Sequence, residues 1–274
     1  MKNFLCLVFS ALSLAYLPGL CSEEYASSSE KRYAADSVNG GTFNRSVVRE
    51  VYYSTKSVDE YVNPYAAPAF NYARTSCCAV TAGGNIMVYY DRLFDELVPN
   101  YKPISIFGRF SYGVQNAGVD AMFDSLYNYM GTSDLGTTVE GFKNGMKNYA
   151  ASKGRTLTAT RATGSYYNIN LETVKAQLKK EKAVAIFLDP FSIVPFTQFK
   201  ENSGYDEINT AIFSGAHTMF AYGYKDITYY DANGNVKQRD TYLYASTGFN
   251  NYGLALLDLT HNGTVVDVYV VEVT

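Results

Sequence analysis

The chain has 274 residues, enough for one large domain or two small ones. Hydrophobic residues make up 47% and charged residues 18%, which excludes a disordered chain and supplies a sizeable core. A formal net charge of −3 argues against a nucleic-acid partner, and two histidines with four cysteines argue against a disulfide-dense scaffold or a multi-ligand zinc site.

Residues 1–21 read as a signal peptide. Lys2 gives a positive start, Phe4 to Tyr16 is apolar apart from Ser, Pro18-Gly19 breaks the run, and Cys21 offers a small residue for cleavage. A secreted, extracellular protein is expected, with no membrane span, because no stretch reaches about 18 apolar residues. An acyl anchor at Cys21 is the alternative, against which Leu20 stands. Without the signal, the adjacent pair Cys77-Cys78 remains. Adjacent cysteines rarely bridge each other, because the small ring strains the intervening peptide. The pair is either a retained thiol with a task or two small buried hydrophobes.

Residues 22–57 are rich in Ser, Ala, Asn and charge, without clear periodicity. They read as a flexible arm or short pro-segment, and residues 58–274 as the folded domain. Sequons stand at Asn44-Arg45-Ser46 and Asn262-Gly263-Thr264. The apolar spacing from Ala79 to Val98 predicts a buried helix, with Gly83-Gly84 kept for close backbone approach. Val119 to Met130 predicts a second helix. A capping box at Thr137-Thr138-Val139-Glu140 opens a third, which runs to about Ser152 and stops at Gly154. Arg155–Arg161 is expected as a strand, 170–182 as a helix and 183–188 as a buried strand. From His217 the pattern turns to β. Thr218–Tyr224 is a strand, and Asp231-Ala232-Asn233-Gly234 turns the chain between 228–230 and 241–245. Asn262-Gly263 is expected to turn a last hairpin between 253–260 and 264–273. Helices followed by an antiparallel sheet predict an α+β fold.

Cys78 falls where the arm gives way to the first helix. A thiol there meets the positive end of the helix dipole, which favours the nucleophilic thiolate. Its partner in acyl transfer is usually His. His261 lies at a tight turn, whereas His217 opens a buried strand after Gly215. Cys78 and His217 are 139 residues apart, within the interval of about 130–150 between the Cys and His of papain-like enzymes.

The segment Cys78-Ala79-Val80-Thr81-Ala82-Gly83-Gly84-Asn85-Ile86-Met87-Val88-Tyr89-Tyr90 resembles the nucleophile helix of bacterial papain-like cysteine peptidases of the streptopain and double-glycine leader peptidase type. Gly215 to Tyr224 resembles their His strand, and Tyr242 to Phe249 their aromatic strand ending in Asn-Trp-Gly-Trp. The resemblance runs in order from about Asn71 to Phe249. It implies a papain-like α+β fold, a helical half carrying Cys78 against a sheet half carrying His217. It implies a secreted cysteine peptidase that hydrolyses peptide or amide bonds of a protein or peptide substrate, without cofactor or metal. Cys78 would be the nucleophile and His217 the general acid/base. Ser246 stands where the family has its orienting Asn or Asp, with Asn250 the alternative. Asn71 is the oxyanion candidate, although its register fits Cys77 rather than Cys78. The competing expectation is a non-catalytic secreted module on the same fold, binding peptide or glycan.

Overall fold

The computed structural model describes residues 32–33, 42–107, 109–163, 169–261 and 264–274. The signal peptide expected over 1–21, with Cys6 and Cys21, and the Asn262-Gly263 turn lie outside the described residues.

The strands in chain order are β1 (Arg32–Tyr33), β2 (Thr42–Tyr52), β3 (Thr55–Val62), β4 (Ile104–Ile106), β5 (Arg109–Ser111), β6 (Thr137–Thr138), β7 (Leu157–Arg161), β8 (Ala183–Leu188), β9 (Phe191–Pro195), β10 (Phe199–Asn202), β11 (Tyr205–Ser214), β12 (His217–Tyr230), β13 (Val236–Ser246), β14 (Leu254–Asp258) and β15 (Val265–Val273). The helices are α1 (Cys78–Asp91), α2 (Ala117–Tyr129), α3 (Val139–Ser152) and α4 (Leu171–Leu178). The fold is α+β, built on one large antiparallel sheet in the order β10-β11-β9-β14-β13-β12-β8-β15-β7, with β2 added to β11 and β3 to β12. Two short antiparallel ladders, β1 with β6 and β4 with β5, stand apart from it.

Every residue of α1 is buried, so this helix is the centre of the helical layer. It packs on β12 and β8 on one side and on α2 and α3 on the other. The double glycine makes that closeness possible. A Cβ on Gly84 would lie 2.2 Å from the Phe123 ring, and one on Gly83 would lie 2.7 Å from Met130 Cε. Phe123 is itself fully buried, so its ring has nowhere to go.

Local chemistry explains where the helices stop. The first helix ends at Asp91 rather than running to Val98, because Asp91 Oδ1 turns to accept from the Val98 amide (2.8 Å) and folds residues 92–97 back on the helix end. The third helix is capped by Thr138, not Thr137. Thr138 Oγ1 accepts from the Gly141 amide at 2.9 Å, while the Thr137 hydroxyl pairs with Thr132. Gly154 follows α3 with φ of +76°, a conformation that favours glycine.

Two expectations about the sheet are corrected. The arm expected over 22–57 is part of the sheet from Thr42 onward. β2 pairs with β11 from Thr42↔Ser214 to Tyr52↔Tyr205, and β3 pairs with β12 from Thr55↔Tyr230 to Val62↔Gly223. Ions fix both strands. Arg49 reaches the fully buried carboxylates of Asp240 (3.2 Å) and Asp258 (3.5 Å), and the Tyr242 hydroxyl at 3.1 Å. Lys56 donates to both oxygens of buried Asp206, which also accepts from Tyr229. Those inward cations hid the strands, because charge at alternate positions reads as solvent-facing. The expected hairpin of 253–260 with 264–273 does not form either. β14 pairs with β13 and β9, whereas β15 pairs with β8 and β7. All six residues of β8 are buried, so β8 needs a neighbour on each edge, and β12 and β15 supply them.

Two measurements test this packing. Gly84→Ala should destabilise the protein by about 1–3 kcal/mol in urea unfolding, despite the roughly 1 kcal/mol advantage of Ala in a helix. Gly83→Ala should cost less, because the atoms it meets are the mobile ends of Met130 and Met146. The second test concerns Asp91. Burial pushes its carboxyl up to about 7, against the opposing Val98 amide, and Oδ2 has no hydrogen-bond partner. A carboxyl raised in the folded state stabilises below its unfolded value of about 4, and that contribution is lost as pH rises towards 7. Asp91→Asn should therefore flatten the fall in stability between about pH 4 and 7. An unchanged slope in urea melts across that range would contradict the assignment.

Candidate active site

The sequence candidates fall at three places. Cys78 is the first residue of α1, with Cys77 in the capping position. Both are free thiols and both are buried. Cys77 Sγ donates to the carbonyls of Arg74 (2.7 Å) and Tyr72 (3.2 Å), so it ties the preceding loop to the helix start. Both cysteines belong to the apolar cluster that includes Phe70, Phe220 and Tyr222.

His217 is the first residue of β12 and is fully buried. Alternation along β12 sends Phe220 and Tyr222 into the Cys78 cluster, and Met219 and Ala221 into the other. The His217 ring goes with the second pair. It packs against Phe191 (4.9 Å between centroids) and Phe249 (4.5 Å), which also pack on each other at 5.9 Å, so the three rings form a triangle in that other cluster. Nε2 meets the Thr247 carbonyl at 2.7 Å. A carbonyl only accepts, so Nε2 carries the proton. Nδ1 is then a lone pair, and it has no hydrogen-bond partner. Burial pulls the imidazole down to about 4, against the Thr247 carbonyl, and the ring is neutral at pH 7.

The thiol and the imidazole are therefore not hydrogen-bonded in this structure. Neither expected orienter touches the ring. Ser246 pairs in register with Phe220, and its buried hydroxyl has no partner. Asn250 is exposed, and its Oδ1 accepts from Asn71 Nδ2 at 2.5 Å. The oxyanion candidate and the alternative orienter thus hold each other. Both lie beside the helix start, because the Tyr72 carbonyl next to Asn71 takes the Cys77 thiol.

Two participants had no sequence signal. Thr247 acts through a main-chain carbonyl, which any residue carries. Gln115 Oε1 accepts from the Asn71 amide at 3.2 Å, and its Nε2 donates to Asp120, so the loop before α2 braces the loop before α1. Among the described residues, no three or more His, Cys, Asp or Glu are grouped to hold a metal, and no helix is long and apolar enough to cross a membrane. No family model, curated protein or solved structure matches the chain.

The buried neutral ring has a thermodynamic consequence. An imidazole depressed in the folded state leaves the unfolded chain holding more protons between its ordinary value of about 6.5 and about 4. His217 therefore costs stability as pH falls through that window. His217→Phe should flatten the acid limb of urea-melt stability between about pH 6.5 and 4. The opposite-sloping Asp91 effect stays in that variant. If the acid limb is unchanged, the ring is not held neutral.

Proposed function

We propose that the chain is a secreted papain-like cysteine peptidase, with Cys78 as nucleophile and His217 as its acid/base. The observation that carries this reading is the tautomer of His217. The Thr247 carbonyl fixes the proton on Nε2 and leaves the Nδ1 lone pair free, which is the form that takes a proton from a thiol. In the resting state a main-chain carbonyl thus holds the tautomer that the family assigns to an Asn or Asp side chain one residue earlier, where Ser246 stands. Support also comes from Cys78 at the start of a buried helix and from Cys77 being occupied elsewhere.

In the reaction the Cys78 sulfur attacks the substrate carbonyl carbon, and its proton passes to Nδ1 and on to the leaving amine. Water then cleaves the thioester, giving acid and free thiol. Turnover requires the ring to leave Phe191, Phe249 and the Thr247 carbonyl and to reach Cys78 on the helix side of β12, so the carbonyl sets the tautomer of the resting state only.

The second reading is a non-catalytic module on the same fold. It is favoured by the fully buried, neutral imidazole with no thiol contact. The two readings separate in one experiment. Iodoacetamide is added at neutral pH, adducts are mapped, and hydrolysis of unfolded casein is followed alongside. The peptidase reading expects labelling at Cys78 over Cys77. It expects a loss of about a thousandfold or more in Cys78→Ala and His217→Ala, with Cys77→Ala active. Native protein that resists the reagent and cleaves nothing is the non-catalytic module.

A further inference from the structure

A cleft of about 240 Å³ opens on the sheet side of the molecule, lined by side chains from four distant segments. Ser46 comes from β2 and Asn209 from β11. Thr197 and Gln198 come from the 3₁₀ turn after β9, and Asn251 and Tyr252 from the loop after β13. None of the residues lining it is charged. Its hydrogen-bonding groups are amides, aliphatic hydroxyls and one phenol, so donors and acceptors are mixed.

Two features mark it as a place of recognition. Asn209 Nδ2 donates to Gln198 Oε1 at 3.1 Å, which sets two amides side by side. Asn209 Oδ1 is shielded from solvent, so the amide face offered to the cleft is that of Gln198. The Tyr252 ring is also a fixed wall. It packs edge-on against Phe213, which stacks flat on Phe191 at 5.1 Å. The Tyr252 carbonyl is held by the Thr247 hydroxyl.

Neutral amides and hydroxyls around an immobile aromatic ring offer little to an anion or a metal ion. Main-chain recognition of a peptide is also disfavoured on the floor strand. At Ala211, β11 is already paired on both edges, with Ser46 of β2 and Ile193 of β9. Recognition falls to side chains, and the matching ligand carries many neutral groups that both donate and accept, on an apolar C–H face. We propose that this cleft binds a neutral saccharide unit, with a sugar face on Tyr252 and ring hydroxyls on the amides of Gln198 and Asn251. The proposal does not depend on whether Cys78 is a nucleophile.

The test is titration calorimetry of the full chain against soluble tetrasaccharides of glucose, mannose, galactose and N-acetylglucosamine, with saturation-transfer NMR to find the bound sugar face. At least one should bind. Tyr252→Ala and Asn251→Ala should each weaken that binding by up to about tenfold. Thr197→Arg, at an exposed rim position, should block the cleft without disturbing the core, which an unchanged melting temperature would verify. The proposal is overturned if none of the four sugars binds. It is also overturned if binding survives Thr197→Arg, or if this cleft takes an anionic oligosaccharide or a peptide in place of the neutral sugars.

Discussion

Alternation along β12 is the constraint on which the rest of the structure depends. A strand sends successive side chains to opposite faces. Phe220 must face α1, because it packs on Tyr89 of that helix. Met219 and Ala221 must then face the other cluster, and His217 follows them by period two. Thr218↔Phe187 and His217↔Leu188 show the same division on the neighbouring strand, where Phe187 belongs to the helix-side cluster and Leu188 to the other. The core therefore decides where the imidazole points, before any chemistry is considered. A His placed one residue away would face the helix.

The same constraint explains what was legible in the sequence. The helices over 117–129 and 139–152 were visible because one face is apolar, although the cap of the first, Asn116, was not read and that of the second lies at Thr138, one residue after the expected Thr137. The strand over 183–188 was visible because both of its faces are buried. The N-terminal strands were not visible. Arg49 and Lys56 occupy inward positions where a strand pattern expects apolar residues, and only their pairing with buried carboxylates of later strands, Asp240 and Asp258 for Arg49 and Asp206 for Lys56, makes them core-compatible. The false hairpin had a different cause. Asn262-Gly263 is a strong local turn signal, but β15 is claimed by the unsatisfied edge of β8, a contact between residues about 80 apart in sequence.

The candidate site was legible by residue type and not by geometry. The position of Cys78 at the head of the central helix followed from the apolar spacing that begins at Ala79. The choice between adjacent thiols came from the helix register, and the structure adds a physical reason, since Cys77 is held by two carbonyls. Ser246 was chosen by its place along the chain. Its hydroxyl shares a face with Phe220, so it is on the wrong side of β13 to meet a ring that points away from the helix. The residue next to it reaches that ring because a main-chain carbonyl is not bound by side-chain alternation.

Under the proposed peptidase reading, two demands fall on the one ring of His217. An acid/base catalyst needs a fixed tautomer, and Thr247 provides it. It also needs an imidazolium that costs little to form, and burial against Phe191 and Phe249 makes that cation expensive. Turning the ring out would meet the second demand and give up the first, because the ring leaves the apolar walls and the Thr247 carbonyl together. The orphaned Nδ1 is what makes the seated state costly: a buried lone pair without a donor loses the hydrogen bond that water or a thiol would supply. The aromatic contacts hold the ring in and the missing donor favours its leaving, and the balance between them sets how often the ring leaves its seat.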